Sequence, residues 1–155
     1  MNIFKKNKKA KNILVVLIVL TLAFIWIHSM MDREQSSLES GWVLKAVTPL
    51  LEIFVGRGNV TEHLVRKLAH FCEFALLGFE LMFFFDCTYI RWRAYLLGLS
   101  HCLFAATVDE TIQIFSGRGS QLQDVWLDTA GGGSGAAFAL LLLAVCSFIN
   151  GNADS

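Results

Sequence analysis

The chain has 155 residues, a formal net charge of zero, and 55% hydrophobic against 17% charged residues. The neutral balance argues against a nucleic-acid partner, and the length suits one domain. The apolar excess is typical of a membrane protein, so we expect a single all-α membrane domain over residues 1–155.

Hydropathy predicts four membrane spans, each close to the roughly 20 residues that cross ~30 Å of hydrocarbon. They cover residues 13–31, 68–85, 94–115 and 125–149. We therefore predict a polytopic four-helix transmembrane bundle. A cleaved signal peptide is the alternative for the first span, but no convincing small-residue cleavage site follows it, so we expect it to be retained.

Residues 32–63 form the one sizeable segment between predicted spans. Apolar residues recur in it at helical spacing, namely Val43, Val47, Leu50, Leu51 and Phe54. This pattern predicts a short interfacial helix in the headgroup region, although a helix that binds a partner protein would have the same pattern.

Basic residues near the span ends predict the orientation, because positive charge is retained in the cytoplasm. Arg91 and Arg93 lie between the second and third spans, and five lysines precede the first span. Both termini are therefore predicted to be cytoplasmic, with residues 32–63 external. Arg66 and Lys67 oppose this assignment, since it puts them outside.

Ionisable and amide side chains interrupt the last three spans or border them, where a charge costs a few kcal/mol unless it has a partner. Helical spacings of three or four residues put His70 with Glu73, and Asp124 with Asp128, on shared faces. Under the predicted topology, all the candidates fall toward the outer half of the membrane. The ten candidate ligand-binding residues are Arg66, Lys67, His70, Glu73, Asp109, Glu110, Gln113, Arg118, Asp124 and Asp128.

These candidates include three basic and five acidic side chains besides His70. A dry site cannot keep this negative excess, so it requires protonated acids, a protonated His70, a bound cation or water. We expect no cofactor and no metal site, because neither the histidines nor the cysteines match a standard zinc motif. Arg118 lies between Gly117 and Gly119 and is the predicted anion holder.

Three ordered motifs resemble the VanZ-like family of membrane proteins. They are the segments 66–74 (RKLAHFCEF), 109–115 (DETIQIF) and 117–131, which holds GRGS, DV and DTAG. Ser116 stands where that family commonly has proline. The resemblance implies a multi-pass protein of the bacterial cell envelope, in a family named for a member associated with resistance to the glycopeptide teicoplanin. It implies no known reaction.

Four functions are compatible with this polar cluster. It can be a structural network that joins helices, a site for an anionic wall precursor or envelope lipid, an acid-base enzyme acting on a lipid-linked substrate, or a transporter. Of these functions we expect a binding site for an anionic envelope ligand, through which the protein lowers susceptibility to glycopeptides. An enzyme is the less favoured interpretation. Membrane lipids are expected partners, and the oligomeric state stays open.

Overall fold

The computed structural model describes residues 8–30, 45–53, 56, 58–116 and 121–153, with side chains described up to residue 150. Every regular element in these ranges is an α-helix, which confirms the all-α prediction. The five helices are α1 (Lys8–Met30), α2 (45–53), α3 (Glu62–Asp86), α4 (Arg91–Phe115) and α5 (Leu122–Ala153).

The four long helices begin before the predicted spans, because polar residues continue each helix past its apolar part. The largest difference is at α3, which begins at Glu62 rather than at residue 68. Thr61 caps this helix, since its side chain accepts a hydrogen bond from the Leu64 backbone N–H at 3.2 Å. Arg66 and Lys67, at the start of the predicted second span, therefore lie within α3, which also includes the last two residues of the predicted external segment.

The long helices alternate in direction. Thr21 of α1 contacts Glu80 of α3, whereas His28 contacts Glu73, so α1 and α3 are antiparallel. The loop from residue 87 to 90 returns the chain into α4, which is antiparallel to α3. A second reversal makes α5 antiparallel to α4 and parallel to α3. As a result, the end of α1, the start of α3, the end of α4 and the start of α5 meet at one end of the bundle.

Small residues bring α3 and α5 into backbone contact. A Cβ at Gly131 would lie 2.5 Å from the Phe71 carbonyl oxygen, and a Cβ at Gly135 would overlap the carbonyl oxygen of Ala75. Only glycine fits at such distances, so the predicted small-residue face of the fourth span is a helix-packing face. It determines how closely α3 and α5, which carry His70 and Asp128, can approach.

Three helices among the described residues are long and apolar enough to cross a membrane, and these are α1, α3 and α5. The predicted third span forms α4, which has the same length as α3 but is not among the three. Its composition explains the difference, because basic residues begin it and the adjacent Asp109 and Glu110 lie near its end. The predicted interfacial helix corresponds in part to α2, while Val43 and Phe54 lie outside the described residues.

Candidate functional site

Asp109 is the centre of the polar cluster and is fully buried. Its Oδ1 accepts a hydrogen bond from Ser29 Oγ of α1 at 2.6 Å, and its Oδ2 accepts one from Gln113 Nε2 of α4 at 2.8 Å. His70 Nδ1 of α3 lies 4.0 Å from the same Oδ2. One carboxylate therefore contacts side chains from three helices, and two hydrogen bonds fix its orientation.

A pair of histidines shares Glu73. His28 Nδ1 of α1 lies 3.2 Å from Glu73 Oε1, and His70 Nδ1 lies 3.6 Å from Glu73 Oε2. The two imidazole rings stack with their centroids 5.9 Å apart. Glu73 is half-buried, so this pair forms the wall of the cluster between α1 and α3.

Glu110 points away from Asp109, as their 100° separation on a helix requires. Its Oε1 accepts a short hydrogen bond from the backbone N–H of Gln121, at the residue just before α5. Because Glu110 is buried, this bond attaches the end of α4 to the start of α5. The neighbouring acids thus have different contacts, one with α1 and α3 and the other with the chain entering α5.

The start of α5 contributes one paired and one unpaired carboxylate. Asp124 Oδ1 lies 2.6 Å from Lys67 Nζ of α3, and both side chains are partly exposed. One turn deeper, Asp128 is 2% exposed, and its Oδ1 has no hydrogen-bond partner among the described residues. One of its carboxylate oxygens lies within 4.8 Å of a carboxylate oxygen of Asp109.

The structure thus brings together eight of the ten residues that the sequence nominates, at the end of the bundle where four helix ends meet. These are Lys67, His70, Glu73, Asp109, Glu110, Gln113, Asp124 and Asp128. Arg66 is half-buried on α3, and no ion pair involves it within the described ranges. Arg118 lies outside the described residues.

Sequence reasoning missed two members of the cluster, His28 and Ser29. Both close the first span, which reads as an aliphatic lipid-facing helix. The available signal was their position, because a histidine and a serine at the end of an otherwise apolar helix, on the predicted outer side, are at the depth of the other polar groups. Ser29 is fully buried, so α1 is part of the site and not a separate anchor.

Three of these side chains have the donor types and proximity needed to hold a metal ion. Ligand atoms from His70, Asp109 and Asp128 all lie within 4.8 Å of one another. The same end of the bundle also presents the cation of Lys67. The arrangement can therefore bind a cation deep between the helices and an anion nearer the surface.

One of three comparisons with known proteins agrees with the motif resemblance. The family model VanZ/LLP1 matches residues 14–143, which include α3, α4, most of α1 and α5, and the whole polar cluster. Searches against curated proteins and against solved structures find no match. Since the family model covers most of the chain, the protein belongs to the VanZ/LLP1 family.

Proposed function

We propose that this protein crosses the membrane of a bacterial cell envelope four times, with both termini in the cytoplasm and the polar cluster opening outward. Charge supports this orientation. Lys11 Nζ of α1 lies 3.2 Å from Thr88 Oγ1, so the lysine-rich start of α1 is beside the loop that leads to Arg91 and Arg93. These cations gather at the end opposite the polar cluster, as the positive-inside rule expects of a cytoplasmic end.

The helix α4 is the fourth crossing in this proposal. It equals α3 in length, and Ala94, Cys102 and Ala106 of α4 are buried among the other helices. Burial of its acids against protein removes the cost that they would have in lipid. The exposed Leu50 and Ile53 of α2 support an interfacial position for that helix at the outer surface.

In this proposal, the outward cluster binds an anionic envelope ligand, either a wall precursor or a lipid headgroup. The observation that carries it is a set of buried polar atoms without hydrogen-bond partners in the described part of the chain. Those in the cluster are His70 Nδ1, Glu73 Oε2, Glu110 Oε2 and Asp128 Oδ1, and comparable atoms outside it include Trp26 Nε1 and Glu80 Oε2. A network kept for scaffolding would satisfy its members, because each unsatisfied buried group costs about 1–3 kcal/mol.

Basic residues at the rim would meet the anion. Lys67 pairs with Asp124 at a partly exposed position. An incoming phosphate or carboxylate can therefore take the place of the Asp124 carboxylate as the partner of Lys67. Arg66 lies on the same helix, one residue earlier, and Arg118 belongs to the segment joining α4 to α5. Through such binding the protein would lower susceptibility to glycopeptides such as teicoplanin, the role for which the family is named.

An acid-base enzyme acting on a lipid-linked substrate is the second candidate. Two buried carboxylates at this site have unequal environments, because Asp109 accepts two hydrogen bonds whereas Asp128 Oδ1 accepts none. Hydrogen bonds stabilise an ionised carboxylate, and burial without them favours the protonated form. Unequal acids of this kind can divide the roles of general base and general acid.

The test is teicoplanin susceptibility of a deletion strain that carries wild-type protein or a variant, with membrane abundance measured for each. Glu73→Gln and Asp109→Asn keep shape but remove charge, and Arg118→Lys keeps charge but removes the planar fork. Glu80→Gln is the matched control, because Glu80 is also buried on α3 but bonds Thr21 outside the cluster. We expect the deletion to sensitise cells and the control alone among these variants to restore resistance.

Two results would contradict the proposal. Variants that fail only in proportion to their loss from the membrane would make the cluster a scaffold. A deletion that leaves susceptibility unchanged would remove the glycopeptide role from this protein.

A further inference from the structure

We propose that His70, Asp109 and Asp128 bind one divalent transition-metal cation of the Zn²⁺ or Mn²⁺ class. The inference departs from the sequence-based expectation that the protein has no metal site. It does not depend on the anionic ligand, because it is carried by the positions of three donor side chains and can be tested with the metal alone.

The geometry supplies the donors. One ligand atom from each of the three residues lies within 4.8 Å of the other two. Donors bound at about 2.0–2.2 Å from a zinc ion are about 3–4 Å apart, so small side-chain rotations bring the three into range. One imidazole nitrogen and two carboxylate oxygens suit zinc and manganese, and three protein ligands leave a coordination position for water or another ligand.

The unpaired atoms point to a missing partner. Asp128 is 2% exposed, and its Oδ1 has no hydrogen-bond partner in the described residues. His70 Nδ1 is likewise buried without a hydrogen bond, and it faces Glu73 Oε2 at 3.6 Å and Asp109 Oδ2 at 4.0 Å. A cation between these atoms would use the Nδ1 lone pair and neutralise carboxylates that otherwise repel one another.

The surrounding bonds resemble the supporting contacts of a metal site. Ser29 and Gln113 each donate a hydrogen bond to Asp109, which fixes the direction of its carboxylate. Such outer contacts orient ligands in known metal sites. His70 keeps a partly exposed edge, so the site is not sealed from the outer end of the bundle. A cation here would also add the positive charge that an incoming anion needs.

Sequence spacing could not predict this site, because its three ligands come from α3, α4 and α5 and are 39 and 19 residues apart. Zinc motifs that sequence patterns detect place at least two ligands within one turn or loop. The three ligands meet only in the folded chain, where α3 and α5 approach each other closely at the glycines of α5.

The experiment measures binding of Mn²⁺ and Zn²⁺ to the purified full chain in detergent micelles after removal of metal with EDTA. Loss of the paramagnetic resonance signal of free Mn²⁺ reports Mn²⁺ binding, and calorimetry reports Zn²⁺ binding. We expect one ion per chain, with Asp128→Asn and His70→Gln each raising Kd at least tenfold. Glu80→Gln should bind as wild type does, because Glu80 is a buried acid of α3 that lies outside the triad.

Helical circular dichroism and elution volume identify variants that have not folded. Because His70→Gln and Asp128→Asn lie on different helices, one variant still tests the site if the other does not fold. Absence of stoichiometric binding by the wild type would overturn the proposal. Wild-type affinity in folded Asp128→Asn and His70→Gln would overturn it as well. Neither result would bear on teicoplanin susceptibility, so failure of the metal site and failure of the anion site are distinguishable.

Discussion

At the scale of single residues, Ser29 of α1 donates a hydrogen bond to Asp109, and this contact links three helices. Ser29 Oγ donates to Asp109 Oδ1 at 2.6 Å, and Asp109 in turn contacts Gln113 and His70. The bond joins residues 80 positions apart in a fully buried place, where water cannot substitute for the lost donor. Its loss leaves a carboxylate with one hydrogen bond instead of two.

We predict that Ser29→Ala lowers the free energy of unfolding by about 1–2 kcal/mol, since buried bonds to charged groups are worth about this much. Ser100→Ala is the matched control, because Ser100 is exposed and donates its hydrogen bond to the Leu97 carbonyl of its own helix. It should change stability by less than about 0.5 kcal/mol. Reversible unfolding in mixed micelles measures both, and equal effects would refute the structural importance of the Ser29 bond.

At the scale of helices, the contact of α3 with α5 depends on glycines rather than on interlocking large side chains. Gly131 and Gly135 are four residues apart and meet the Phe71 and Ala75 carbonyls, which are also four apart. This register keeps His70 and Glu73 level with the first turns of α5. Separation of the two helices would therefore disperse the polar cluster.

We predict that Gly135→Ala destabilises the protein by at least about 2 kcal/mol, because the added methyl overlaps α3 backbone that cannot move independently. Gly98→Ala is the control. It is also a buried helical glycine, but its added Cβ would find Leu81 Cβ at an ordinary 3.7 Å. Removing a helical glycine gains up to about 1 kcal/mol, so this control should be neutral or stabilising. The same unfolding assay decides, and a tolerated Gly135→Ala would contradict the close packing.

The sequence predicted where the helices lie in the chain better than it predicted where each helix ends or which helices contact one another. Apolar runs identified α1, α3 and α5, because a long hydrophobic segment has few alternatives to a helix in lipid. The ends differed since polar residues such as Glu62 and Arg66 continue a capped helix without an apolar signal. The crossing by α4 stays a prediction, because its acids lower its hydropathy.

For the polar cluster too, the sequence predicted features within a helix but not the contacts between helices. Spacing within a helix predicted which acids share a face, and the motif resemblance selected the residues that the fold gathers. Spacing could not identify the pairs between helices, such as Ser29 with Asp109 or Lys67 with Asp124, since these depend on helix register and rotation. His28 and Ser29 were missed for this reason, because Glu73 and Asp109, which they contact, lie on other helices.

At the scale of the whole molecule, the bundle has two different ends. One has the lysine-rich start of α1 beside the α3–α4 loop, and the other gathers the acids and histidines of the polar cluster. Buried atoms without hydrogen-bond partners in the described residues occur in the cluster, at Glu73, Glu110 and Asp128, and also outside it, at Trp26 and Glu80. A protein selected for stability alone would replace such groups, and we propose that those of the cluster are kept for binding.

The most direct measurement is the melting temperature of purified Asp128→Asn beside wild type, with EDTA present so that bound metal contributes nothing. If the cluster is a binding site, replacing a buried acid whose Oδ1 has no hydrogen-bond partner in the described residues leaves the melting temperature unchanged or raises it, by about 2–4 °C for each kcal/mol gained. A melting temperature several degrees below wild type would show that Asp128 holds the helices together, and would contradict the account.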